Sequence, residues 1–249
     1  MTNGVVAPAA LRSLSQRNLH DQVVRSIGLK ITRGDYEPGQ SLPDEETLVQ
    51  QLDVSRTVIR EAAKTLAAKG LVESRPRRGT TVRPFEDWNM LDPDVLSWHE
   101  VSQPGIQFFR SLTEVRRVVE PSAASFAAER ASDSQVGAIE DALAHMKATL
   151  GDVEAYMTAD LRFHVAILTA CRNPFLLPVS HAIGAVMMSS LMVTNRRPEM
   201  NRTSLPFHER IFEAIAARDA EASRRAMLIH LDDTLLRIER AFGKEKNTF

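Results

Sequence analysis

Asp160 and His164 stand four residues apart in a segment patterned as a helix, so their side chains leave the same face one turn apart. His208 and His230 each lie eleven residues from Asp219, one on either side. An antiparallel hairpin turning at Arg218 to Ala220 puts both imidazoles at one height, and eleven residues is about three whole helical turns, so both face the same way. One carboxylate and three imidazoles converging inside a bundle suit a divalent ion, Zn²⁺ first and Ni²⁺ or another transition metal after it, with positions left for water or an anion. A single histidine on a helix is more simply a hydrogen-bonded core or surface residue, and His20, His99, His145 and His181 are read that way. Cys171 lies seven residues, about 10 Å of helix, beyond His164, which makes it core rather than a fifth ligand.

A second cluster has different chemistry. Arg56, Thr57 and Arg60 open a helical segment behind the N-cap candidate Ser55, with Arg56 and Arg60 one turn apart on one face. Guanidinium groups bind guanine O6 and N7 in a bidentate way, and the Thr57 hydroxyl and methyl suit a phosphate or a thymine methyl. Arg75, Arg77 and Arg78 crowd a turn that also holds Pro76 and Gly79, and they suit phosphates or a minor groove. The alternative has Arg60 paired with Glu61 or Asp44 and the turn charges merely solubilising. Charge distribution bears on the choice: net charge is −1, yet residues 1–85 carry 13 Lys and Arg against 9 Asp and Glu, and the remainder 18 against 23. A basic head on an acidic body points to a polyanion partner for the head.

The elements that must position these groups follow from periodicity. Residues 1–18 lack an apolar period and read as a flexible arm. Leu19, Val23, Val24, Ile27 and Ile31 mark a helix to about Arg33 that Gly34 stops. A turn at Tyr36-Glu37-Pro38-Gly39 leads to a second helix from Asp44 to Leu52, and a third runs from Ser55 to about Lys69 with Val58, Ala62 and Leu66 inward. Leu71 to Val82 reads as a β-hairpin with a basic tip. Residues 19–85 therefore form a winged helix-turn-helix. Residues 86–105, with Pro93 and Pro104, read as a linker carrying at most one short helix at Val95 to Val101. Beyond it no alternating pattern occurs. Helices are expected over 106–131, 134–149, 152–172, 174–195, 203–217 and 219–242, an all-α antiparallel bundle of about six helices, followed by a tail at 243–249.

At 249 residues with 43% hydrophobic and 25% charged positions, the chain has the length and apolar content for two cores, which excludes disordered and collagen-like classes. A lone cysteine and the lack of a charged-apolar-small leader fit a reducing cytoplasm, and no apolar run reaches the roughly 20 residues of a membrane span.

Five ordered blocks resemble the GntR-family winged-helix signature: Gly34-Asp35-Tyr36-Glu37-Pro38-Gly39, Leu42-Pro43-Asp44-Glu45, Val54-Ser55-Arg56-Thr57-Val58-Ile59-Arg60-Glu61-Ala62, Lys69-Gly70-Leu71-Val72 and Arg78-Gly79-Thr80. The resemblance implies DNA contacts from Ser55, Arg56, Thr57 and Arg60 and from Arg75, Arg77, Arg78 and Gly79. One departure stands out: Glu46 occupies a position where several relatives carry a basic DNA-contacting residue. Glu114 to Pro121, Ala127 to Ala131, Asp160 with Phe163-His164, Phe207-His208 and His230 resemble the FCD effector domain of the FadR subfamily. That likeness implies Asp160, His164, His208 and His230 as metal ligands and Arg116 as the contact for an effector carboxylate. Arg116 has Glu120 one turn on as an alternative partner. Trp88 to Trp98 is similar to the corresponding segment of galactonate-operon-type repressors, which respond to sugar acids, although its tryptophans and leucines also suit simple packing.

The resulting expectation is a transcription regulator, a repressor that binds a pseudo-palindromic operator in double-stranded DNA as a homodimer and is released by a small carboxylate bound near the metal. The alternatives are a regulator of another organic-acid pathway with a purely structural metal, and a metal-dependent hydrolase. The hydrolase lacks a nucleophile motif and a second positioned carboxylate.

Overall fold

The computed structural model describes residues 9–75, 79–102 and 105–245 and divides into two compact units, residues 1–103 and 104–249. In the first, α1 (Ala9–Arg33), α2 (Glu45–Leu52) and α3 (Arg56–Ala68) precede an antiparallel hairpin of β1 (Val72–Arg75) and β2 (Gly79–Val82), then a 3₁₀ turn at Phe85–Asp87 and α4 (Pro93–Ser102). The second holds α5 (Ile106–Arg130), α6 (Asp133–Ala148), α7 (Val153–Ala170), α8 (Leu177–Thr194), α9 (Pro198–Ala216) and α10 (Ala220–Glu245). Among the described residues no helix is long and apolar enough to cross a membrane.

The head is a winged helix-turn-helix. Asp44 caps α2 by accepting from the Thr47 amide at 2.8 Å, and Ser55 caps α3 by accepting from the Val58 amide at 3.3 Å. Between them Asp53 adopts a left-handed conformation (φ 50°), so the turn closes in very few residues. Val72 pairs with Val82 and Arg75 with Gly79, and both valines are buried. Val23, Val24, Ile27 and Ile31 of α1 pack on Ile59, Ala62 and Leu66 of α3, while Val58 is only half-buried.

Besides α8, which starts at Leu177 rather than 174, and α10, which runs to Glu245 and so three residues into the expected tail, three features differ from expectation. The first helix starts at Ala9 rather than Leu19, because Ala9-Ala10-Leu11-Arg12 and the residues after them hold no helix breaker before Gly34 apart from Gly28. Residues 1–8 lie outside the described residues. The segment expected as a linker is built into the head core: Trp88, Val95 and Trp98 are buried there, and α4 packs on α1. Gly28 makes that docking fit, since a Cβ on it would sit 2.3 Å from the Trp98 ring. Finally α9 begins at Pro198, not 203, because Pro198 suits the first turn of a helix and leaves only Asn195 to Arg197 as the break.

In the bundle the six expected helices are present. Pro178 starts α8 rather than kinking it, a Ser132–Gln135 capping box opens α6, and Asp152 caps α7. The α9–α10 turn is Ala217–Asp219, where Arg218 has φ 58° and its guanidinium donates to the Ala131 carbonyl. Ile139, Leu143, Met146, Tyr156, Phe163, Ile167, Ile211, Ile215, Met227 and Leu231 form the main apolar core. Helices α5 and α10 share the most extensive packing, and a buried polar layer lies between α5, α7, α9 and α10.

Candidate metal centre and nucleic-acid interface

All four expected ligands meet inside the bundle. Asp160 and His164 come from α7, His208 from α9 and His230 from α10, and none is more than 5% exposed. The three imidazoles offer ligand nitrogens within 4.8 Å of one another. Asp160 Oδ1 stands 3.4 Å from both His164 Nε2 and His208 Nε2. Ligands of a tetrahedral ion with bonds of about 2.1 Å lie about 3.4 Å apart, which the two Asp160 contacts match, whereas the group whose atoms all lie within 4.8 Å of one another is the three imidazoles without Asp160. Satisfaction of the lone pairs makes the same point: Asp160 Oδ1, His164 Nε2, His208 Nε2 and His230 Nδ1 are buried and have no hydrogen-bond partner. Buried polar atoms are rarely left so, and four converging ones fit a shared cation.

The remaining atoms of the ligands are held. His164 Nδ1 donates to Glu120 Oε2 at 2.7 Å, His208 Nδ1 donates to the Ser204 carbonyl at 3.1 Å, and Asp160 Oδ2 accepts from Asn195 Nδ2 at 3.2 Å. Each bond aims the other end of its side chain at the centre. Burial alone would raise the Asp160 carboxyl, but the His208 and His164 rings hold it well below the usual carboxylate range. Burial likewise opposes protonation of His164, and the charge of Glu120 with the hydrogen bonds to Asp160 and Glu120 together outweigh it and raise the imidazole above its ordinary value. His230 is pushed well below that value by burial and by its neighbours His208 and His164.

Arg116 is 1% exposed and carries the pairing named as its alternative: Nε donates to Glu120 Oε1 at 2.6 Å. Sequence reasoning left Glu120 and Asn195 out of the site. Glu120 stood only as a partner for Arg116, and nothing in the pattern singles out Asn195, which reaches Asp160 across 35 residues.

On the head, Arg56, Thr57 and Arg60 are exposed together at the start of α3. Arg60 pairs with neither Glu61 nor Asp44. Its Nε donates to Glu45 at 2.9 Å, and Arg56 lies 3.6 Å from Glu46, so the acidic first turn of α2 faces both arginines. The Ser55 hydroxyl is taken up by its cap bond. In the wing Arg75 pairs with Glu73, and Gly79 has φ 77°. Arg77 and Arg78 lie outside the described residues.

Comparison with known proteins places these features. Residues 19–82 match the family model of bacterial regulatory proteins of the gntR family, and residues 111–233 match the FCD domain. The chain is 37% identical to the galactonate operon transcriptional repressor of Escherichia coli strain K12, over 89% of this chain and 97% of that one. It is 33% identical to a putative L-lactate dehydrogenase operon regulatory protein of the same organism, over 86% and 84%. A solved structure of Lar, described as controlling expression of the Listeria monocytogenes agr system, superposes with a TM-score of 0.64 over 89% of this chain and 96% of that one. Its 18% identity carries the fold alone.

Proposed function

The chain belongs to the GntR family of bacterial regulatory proteins, with an FCD domain behind its winged helix-turn-helix, and on that premise we propose that it represses a carbohydrate-acid catabolic operon and leaves its operator when a sugar acid such as galactonate binds the bundle. The family and the similar proteins are DNA-binding transcription regulators and not enzymes, which removes the hydrolase reading.

The four buried, unpartnered ligand atoms carry the proposal. Held by Asp160, His164, His208 and His230, a divalent ion supplies charge and open coordination positions for a carboxylate and a neighbouring hydroxyl. Charge bookkeeping favours a monoanion. Among the described residues the buried groups of fixed charge are Arg116, Glu120 and Asp160, and with neutral imidazoles they sum to one negative charge. A divalent cation reverses the sign, and one carboxylate restores neutrality, which a desolvated site requires. Arg116 supports the bound acid as its nearest buried positive charge. The operon named for the 37% identical relative supports a sugar acid over other carboxylates.

On the DNA side, Arg56, Thr57 and Arg60 enter the major groove, and Arg75, Arg77, Arg78 and Gly79 follow the backbone or minor groove, with Ser55 presenting the α3 N-terminus to a phosphate. One such helix reads few base pairs, so a homodimer on a pseudo-palindrome supplies the needed readout. The effector must bind the DNA-competent and DNA-free arrangements unequally.

The test is fluorescence anisotropy on DNA from upstream of the protein's own gene, with Zn²⁺ present and galactonate, other aldonates and L-lactate titrated in turn. Release by an aldonate at micromolar to millimolar concentration is the expected result. Release by lactate alone moves the proposal to another organic-acid pathway, and no release by any acid overturns the effector assignment.

A further inference from the structure

Glu120 divides one carboxylate between two partners. Its Oε1 accepts from Arg116 Nε at 2.6 Å and its Oε2 accepts from His164 Nδ1 at 2.7 Å, and all three side chains are 1% exposed. Glu120 touches no ligand atom of the centre. Its effect on His164 is nevertheless definite, because a proton held on Nδ1 by an anion leaves the Nε2 lone pair facing Asp160 and His208, where that nitrogen has no other partner. We infer that Glu120 is a positioning residue for the metal: it selects the tautomer of His164, holds the ring's angle and strengthens Nε2 as a donor, while Arg116 holds the carboxylate in place. This rests on the metal reading above.

Two physical facts separate this role from packing. Arg116 Nε occupies the other carboxylate oxygen at 2.6 Å and so fixes the direction in which Oε2 meets the imidazole, which makes the arrangement depend on Arg116 as well as Glu120. Removing an outer carboxylate from a metal-binding histidine typically weakens metal affinity about 10- to 100-fold even where the ligands are untouched.

The experiment uses the full-length protein, stripped with a chelator and titrated with Zn²⁺ against a competing indicator, and loaded in parallel with Co²⁺ to record its visible absorption. Glu120→Gln keeps the side-chain shape and removes the charge. The expected result is Zn²⁺ affinity reduced by about 10- to 100-fold, with Co²⁺ bands altered in position or intensity because the His164 donor has changed. The double variant Arg116→Met with Glu120→Gln removes both charges, so no unpaired buried guanidinium remains to prevent folding, and it should show the same loss. Unchanged Zn²⁺ affinity and unchanged Co²⁺ bands in either folded variant overturn the role of Glu120 and leave the metal reading standing. Failure of the unmodified protein to bind either ion overturns both.

Discussion

At the scale of single residues, the most consequential feature of the head is that the two arginines proposed to read DNA are already paired. Arg56 faces Glu46 and Arg60 faces Glu45, all largely exposed, so these contacts are readily exchanged for DNA. Arg56→Ala should therefore weaken discrimination between operator and single-base variants by roughly 5- to 150-fold at one base pair, as read by competition binding at fixed salt. A uniform loss on all sequences would assign Arg56 to phosphate instead. In the bundle, acid sensitivity follows from the carboxylates. Burial would raise Glu120, yet Arg116 and His164 hold it at about 2 against an ordinary 4.5. Its folded value lies below its unfolded one, so its contribution is complete above pH 4.5 and is lost as the pH falls towards 2. Asp160 acts in the same direction below 3.8, and His230, whose folded value is lowered, withdraws stability as the pH falls below 6.5, whereas the raised His164 contributes fully below 6.5 and loses its contribution only above it. Urea unfolding of the metal-free protein followed by circular dichroism should show the bundle transition weakening as the pH falls below about 6.5 and more steeply below about 4.5. A transition no weaker at pH 3 than at pH 6 contradicts the pairing. None of these pairings except Arg116–Glu120 was foreseen from the sequence, since the others join residues without periodic relation.

Among the elements, the Ser55 cap and the breakers were the legible part, whereas the caps at Asp44, Ser132 and Asp152 emerge from the structure; the eleven-residue spacing about Asp219 brings the His208 and His230 rings to a centroid separation of 4.4 Å. The hairpin geometry argued from helical rise alone is thus present. The 86–105 segment was illegible because prolines and a short apolar run describe a linker and a docked helix equally well. What docks it is a particular fit of Trp98 over Gly28, together with Lys69, which donates to Asp92 and Asp94. Gly70 closes the same junction: its φ is 78°, and a Cβ there would meet the Asp87 carbonyl oxygen at 2.3 Å. Gly70→Ala should cost the head about 1–3 kcal/mol, seen as a lower urea midpoint by tryptophan fluorescence. An unchanged midpoint would mean that the 85–89 turn adjusts freely.

For the molecule as a whole, the two units can be followed separately, because both tryptophans of the chain, Trp88 and Trp98, lie in the head core while all four candidate ligands lie in the bundle. Zn²⁺ at a hundredfold excess over its Kd stabilises a folded unit by about 2.7 kcal/mol. Adding it should raise the bundle's thermal transition by circular dichroism and leave the tryptophan transition nearly in place. Equal shifts in both would show that the units unfold together, and no shift in either would remove the metal. If chelation unfolds the bundle while effector affinity in the surviving protein is unchanged, the ion is structural. The helical class, the winged helix-turn-helix, the Ser55 cap and the convergence of Asp160, His164, His208 and His230 were legible in the sequence, because caps, periodicity and whole-turn spacing are local properties that survive without knowledge of neighbours. The tertiary structure was needed to show that residues 86–102 complete the head core, that Glu45 and Glu46 pair with Arg60 and Arg56, and that Glu120 and Asn195 hold His164 and Asp160 in place. These depend on which helices pack together and at what rotation, and a through-space hydrogen bond between distant segments leaves no period in the chain.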